Sequence, residues 1–141
     1  MTTVLFDTCI VLDLMQKREP FFENAHKLFV AVANHRIRGC LTAKSVLVIY
    51  YLMHRANHSV EETRKQLSAL FSLFGILDTT AVDCKKALLS GIADYEDAVM
   101  AETAVREKID CFVTRNSGDS KNVSFRVLPP EDLLSRMTED N

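Results

Sequence analysis

Apolar residues follow two rhythms along this chain. Short solid runs alternate with longer stretches in which apolar positions recur every three or four residues. The short runs predict strands at Val4 to Phe6, Cys40 to Thr42, Ile76 to Thr79, Ile109 to Thr114 and Phe125 to Leu128. The first is apolar throughout, which suits a central strand covered on both faces. The longer stretches predict helices between the strands.

The first helix follows Thr8, read as its N-cap, with Ile10, Val11, Leu14 and Met15 facing inward and Pro20 as its stop. A second spans Phe22 to Arg36, with Phe22, Ala25, Leu28, Phe29 and Val32 at helical spacing. A third runs from Ser45 to Arg55, opened by Thr42 or Ala43. It is apolar nearly all round, so deep burial is expected. Ser59, with Glu62 three residues on, has the pattern of a capping box for a fourth, which Gly75 closes. Val82 to Leu89, Asp94 to Lys108 and Glu131 to Arg136 complete the set. Alternating helices and short apolar strands mean a small parallel sheet covered by helices, in the α/β class. At 141 residues the chain is expected to form a single domain, residues 1–141.

Composition narrows the function classes. Seventeen basic and nineteen acidic side chains give a formal net charge of −2, which argues against binding through one large basic surface. The four cysteines, Cys9, Cys40, Cys84 and Cys111, form no C-x-x-C pair, as expected of buried thiols in a reduced, cytoplasmic protein. No apolar run is long enough to span a membrane.

The carboxylates carry the chemistry. Asp7 ends the first strand, where open parallel sheets place their ligand crevice. Asp94 and Asp97 open a helix, and Asp119 lies in the loop after the Ile109 to Thr114 strand. Each has a plain structural reading: Asp94 as N-cap, Asp97 as part of a capping box, Asp119 as a turn residue. Asp97 shares a helix face with the small residues Ala101 and Ala104, which points it inward. Carboxylates gathered at one sheet edge stay ionised together only beside a cation, and oxygen ligands suit Mg²⁺ or Mn²⁺. Such a site orients and deprotonates water for in-line attack on a phosphodiester. Arg115 adjoins it as a candidate phosphate contact. Other candidates are poorer: His54 and His58 lack a third ligand, Cys9 lacks a partner, and Glu96 and Glu102 look solvated.

These segments resemble the PIN domain. The resemblance rests on Val4-Leu5-Phe6-Asp7-Thr8, Asp94-Tyr95-Glu96-Asp97-Ala98, Val113-Thr114-Arg115-Asn116-x-x-Asp119 and Val127-Leu128-x-Pro130, in that order over essentially the whole chain. It implies a three-layer α/β/α sandwich and Mg²⁺- or Mn²⁺-dependent cleavage of RNA. Asp7, Asp97 and Asp119 match the metal-binding positions; Thr114 and Asn116 match supporting polar groups, and Thr8 would orient Asp7. Short single-domain members resemble toxins of toxin–antitoxin pairs, held by a small antitoxin and commonly homodimeric. One departure stands out. The family usually carries a further acid on the helix after the second strand, and Val48 fills that position here. Losing that ligand weakens cation binding, which leaves a second reading: a weakened or inactive module that binds RNA or a protein partner.

Overall fold

A computed structural model describes residues 1–116 and 125–139. Five parallel strands form one sheet: β1 (Thr3–Phe6), β2 (Arg38–Thr42), β3 (Gly75–Leu77), β4 (Cys111–Val113) and β5 (Arg126–Leu128). Their order is β3-β2-β1-β4-β5. The first strand in sequence is thus the middle one, as its unbroken apolar character predicts. Val4, Leu5 and Phe6 are all completely buried.

The pleat sends these residues to opposite sides. Val4 and Phe6 face a large core built with α1 (Thr8–Met15), α2 (Phe22–Ala33), α3 (Ala43–Asn57), α4 (Val60–Leu73) and α7 (Pro130–Glu139). Leu5 faces a smaller core with Met100 and Ala104 of α6 (Tyr95–Arg106), which α5 (Ala81–Ala87) backs through Ala87, Ala98 and Val99. The result is a three-layer α/β/α sandwich. On the larger side, Phe6, Phe29 and Phe74 meet edge-on, with ring centroids 5.0–6.0 Å apart. A Cβ on Gly39 of β2 would lie 2.7 Å from the Phe74 ring and 2.9 Å from a Val32 methyl. Glycine there lets the cluster close onto the strand.

Several helices differ from the pattern-based expectation. α3 is not deeply buried all round: Leu47 and Tyr51 are 73% and 66% exposed, and only Ser45, Ile49 and Met53 are buried. An apolar ring of residues does not reveal which faces the fold will cover. At α4, the Ser59 hydroxyl accepts from the Glu62 N–H as expected, but the return arm is absent. The Ser59 N–H donates instead to Asn57 Oδ1 at 2.8 Å. The reciprocal box occurs at α5, between Thr80 and Asp83.

Three helix ends explain most boundary differences. α1, α2 and α6 each finish with a left-handed residue: Lys17, His35 and Lys108, at φ 50–59°. The next residue's N–H returns to the carbonyl five back: Arg18 to Asp13, Arg36 to Ala31, Ile109 to Ala104. These are Schellman turns, usually made by glycine. A sequence search for glycine or proline stops passes over them. Among the described residues, no helix is long and apolar enough to cross a membrane.

Candidate active site

Register brings the ends of β1 and β4 level. Phe6 pairs with Val113, and the Asp7 N–H donates to the Val113 carbonyl at 3.0 Å. The following residues, Asp7 and Thr114, therefore leave the sheet side by side. The Thr114 hydroxyl donates to Asp7 Oδ2 at 2.6 Å, and itself accepts from the Asn116 N–H at 3.1 Å. The other carboxylate oxygen, Oδ1, accepts from the Thr8 N–H at 2.8 Å. Asp7, not Thr8, is the N-cap of α1, because its extended backbone turns its own side chain onto the first helical N–H. Thr8 becomes the first helical residue. Its hydroxyl is buried and has no hydrogen-bond partner among the described residues.

Asp7 opens onto a cleft of about 310 Å³ whose walls include Thr8, Asp94, Glu96, Asp97 and Asn116. Helix α6 supplies three of these. Asp94 caps it, accepting from the Asp97 N–H at 3.1 Å, and Asp97 lies half-buried in the first turn. The inward aim expected from its spacing with Ala101 and Ala104 thus brings Asp97 to the same cleft as Asp7. Glu96 is not simply solvated. It forms an ion pair with Lys44 of α3.

The Cys9 thiol sits 3.6 Å from Asp7 Oδ2. Burial pushes its pKa up to about 11, and the Asp7 charge adds to the rise. It is therefore a neutral donor to the carboxylate at ordinary pH.

Arg115 has a different environment from the open phosphate contact expected of it. Its guanidinium donates to both oxygens of Asp13, at 2.8 and 3.2 Å, and lies 3.9 Å above the Phe21 ring. Asp13, only 1% exposed, escaped the sequence reading. An acid inside the apolar run Ile10 to Met15 was the available signal, since such a residue needs a buried partner. Arg18, also on the cleft wall, escaped it too. Asp119 lies outside the described residues.

Val48 shares a helix face with Lys44 and Leu52, four residues away on either side. Lys44 reaches the Glu96 carboxylate and Leu52 lines the cleft. The face that would carry a further acid therefore presents valine. Among the described residues, no group of three His, Cys, Asp or Glu side chains is close enough to hold a metal. The donors that are present nevertheless fit a hard cation: the Asp7 and Asp97 carboxylates on one cleft and, among the described residues, a threonine hydroxyl without a partner and no ion pair to Asp7.

Comparison with known proteins agrees with this fold. Residues 3–118 match the PIN domain model, and the chain belongs to the PIN domain family. Among solved structures it is similar to a toxin–antitoxin complex from Klebsiella pneumoniae. That match has 21% identity and a TM-score of 0.66, covering 90% of this chain and 97% of that one. FitAcB from Neisseria gonorrhoeae gives 17% identity and a TM-score of 0.67, covering 91% and 98%. VapC20 from Mycobacterium tuberculosis, a toxin that cleaves the sarcin–ricin loop, gives 12% identity and a TM-score of 0.66, covering 87% and 98%. At these identities the likeness concerns the fold. The comparison with curated proteins finds no match.

Proposed function

We propose that the chain is a metal-dependent ribonuclease of the toxin–antitoxin type. The observation that carries the reading is the meeting of Asp7 and Asp97, from β1 and α6, on one cleft at the C-terminal edge of the sheet. Asp7 and Asp97, with Asp119 as the third ligand, would hold Mg²⁺ or Mn²⁺. The ion supplies a Lewis acid for the scissile phosphate and lowers the pKa of a bound water. Thr114 fixes one oxygen of Asp7 and the Thr8 N–H the other, so the carboxylate is oriented before any ligand arrives. Asn116 steadies Thr114 through its N–H, and Asp94 holds the first turn of α6 in place. Arg115 braces the segment after β4 against Asp13.

The likeness to a toxin–antitoxin complex supports a small antitoxin as partner; a homodimer is what the family resemblance alone implies. The test is cleavage of structured and single-stranded RNA with Mn²⁺, using Asp7→Asn as control. Asp7→Asn should lower the rate at least about a hundredfold. Equal cleavage by both proteins would falsify the assignment.

A second reading has its own observation. Valine at position 48, next to Lys44 already paired with Glu96, leaves the cleft one acid short of the family pattern. On this reading the chain is an RNA- or protein-binding module with weak or no catalysis. RNA binding without cleavage by either protein would favour it.

A further inference from the structure

An RNA strand approaching this cleft meets the carboxylates of Asp7, Asp94 and Asp97, besides Glu96 already paired with Lys44. A polyanion is repelled there unless cations offset the acids. Two basic residues near the cleft are already neutralised inside the protein, Lys44 by Glu96 and Arg115 by Asp13. Arg18 is on the cleft wall and has no carboxylate within ion-pair distance among the described residues.

Its placement is built in stages. The Schellman turn at Lys17 sends the chain back so that the Arg18 N–H bonds the Asp13 carbonyl at 3.0 Å. The side chain is then held along one edge: Nε and Nη2 donate to Gln16 Oε1 at 3.1 and 2.7 Å. Gln16 is in turn anchored by donating from Nε2 to the Leu52 carbonyl at 3.4 Å, on α3. The holding group is a neutral amide, so the guanidinium keeps its full charge. The edge bearing Nη1 has no partner among the described residues. A guanidinium fixed on one edge by a neutral acceptor has its other N–H groups in place for a phosphate, at low entropic cost.

We propose that Arg18 grips a backbone phosphate of the RNA strand at the rim of the acidic cleft, with Gln16 as its positioning residue. This rests on the ribonuclease reading of the same cleft. It names which side chain of this chain meets the substrate backbone, a role the sequence had suggested for Arg115.

The test is binding, so that it does not depend on catalysis or on a loaded metal. A labelled single-stranded RNA of about a dozen nucleotides is titrated with the full chain in EDTA, across a series of KCl concentrations. Loss of one phosphate contact lowers the slope of log K against log salt by about 0.7. Arg18→Ala should show that drop, with about tenfold weaker binding at low salt. Arg18→Gln keeps side-chain length and a hydrogen-bonding amide, and should show the same drop, which guards against a folding artefact. Arg18→Lys should retain the slope with part of the affinity lost. Gln16→Leu should retain the slope and weaken binding about twofold to threefold. Wild-type slope and affinity in both Arg18→Ala and Arg18→Gln would overturn the assignment while leaving the ribonuclease reading intact. If the wild-type chain binds RNA only once Ca²⁺ is added to offset the acids, the same variants are compared in Ca²⁺; absence of RNA binding by the wild-type chain under both conditions would overturn both.

Discussion

Asp7 and Asp83 sit in similar local settings and are treated in opposite ways. Each lies at a helix N-terminus and each accepts from a backbone N–H and a threonine hydroxyl. Asp83, 1% exposed, also receives Nε and Nη2 of Arg106 at 3.0 Å, and Arg106 continues to the Asp78 carbonyl. Asp7 receives only neutral donors among the described residues. Asp83 carries its counter-charge within the fold. Asp7 is oriented with no counter-charge among the described residues, as suits a carboxylate that would take a cation from outside. Hydrogen bonding to neutral groups does not separate a structural acid from a candidate ligand. The presence of a built-in cation does.

Paired substitutions break the comparison most directly. Asp83→Asn takes the negative charge from a buried ion pair and should cost about 3 kcal/mol of stability. Urea unfolding measures that loss, and cleavage per folded molecule should stay within about twofold. Asp7→Asn should do the reverse, with near wild-type unfolding and lost cleavage. If Asp83→Asn unfolds at the wild-type midpoint, the Arg106 pair is not the anchor described here.

pH sharpens the same contrast. Burial alone would raise the Asp83 pKa, but hydrogen bonds from Arg106, Thr80 and Thr103 outweigh it and hold the pKa down at about 2. A carboxyl whose pKa is lower folded than unfolded stabilises the protein above its unfolded value of about 3.9. That contribution, about 2 kcal/mol, is lost as pH falls toward 2. The stability gap between wild type and Asp83→Asn should therefore be level at neutral pH and shrink by that amount under acid. A gap that stays constant down to pH 2 would rule out the linkage.

The smallest effect concerns a helix end rather than an acid. Lys108 holds a left-handed backbone at φ 55°, a conformation that strains residues with a Cβ. Lys108→Gly should raise stability by up to about 1 kcal/mol, seen as a rise of about 2–4 °C in Tm. A lower Tm would mean that the lysine itself, near the negative end of α6, outweighs the strain.

The sheet, and the presence of Asp7 and Asp97 on one cleft, rest on local signals. A solid apolar run marks β1, and the small residues Ala101 and Ala104 mark the face of α6 that Asp97 shares. What escaped depends on partners far along the chain. Nothing near Asp13 announces Arg115, 102 residues away, and nothing near Asp83 announces Arg106, 23 residues on. Arg18 gave no signal of its own because its placement comes from the Schellman turn and from Gln16. The exposed faces of α3 were hidden for a related reason: apolar character fixes periodicity, whereas coverage depends on the packing of neighbouring helices.

The pairing of β1 with β4 also sets a schedule for synthesis. Asp7 leaves the ribosome before the hydroxyl that orients it, which belongs to Thr114, 107 residues later. At about 5–20 residues per second, that interval is about 5–20 s. During it the nascent chain displays Asp7 without Thr114. A PIN domain assembled in this order holds its cleft unfinished beside the ribosome until Thr114 has been made.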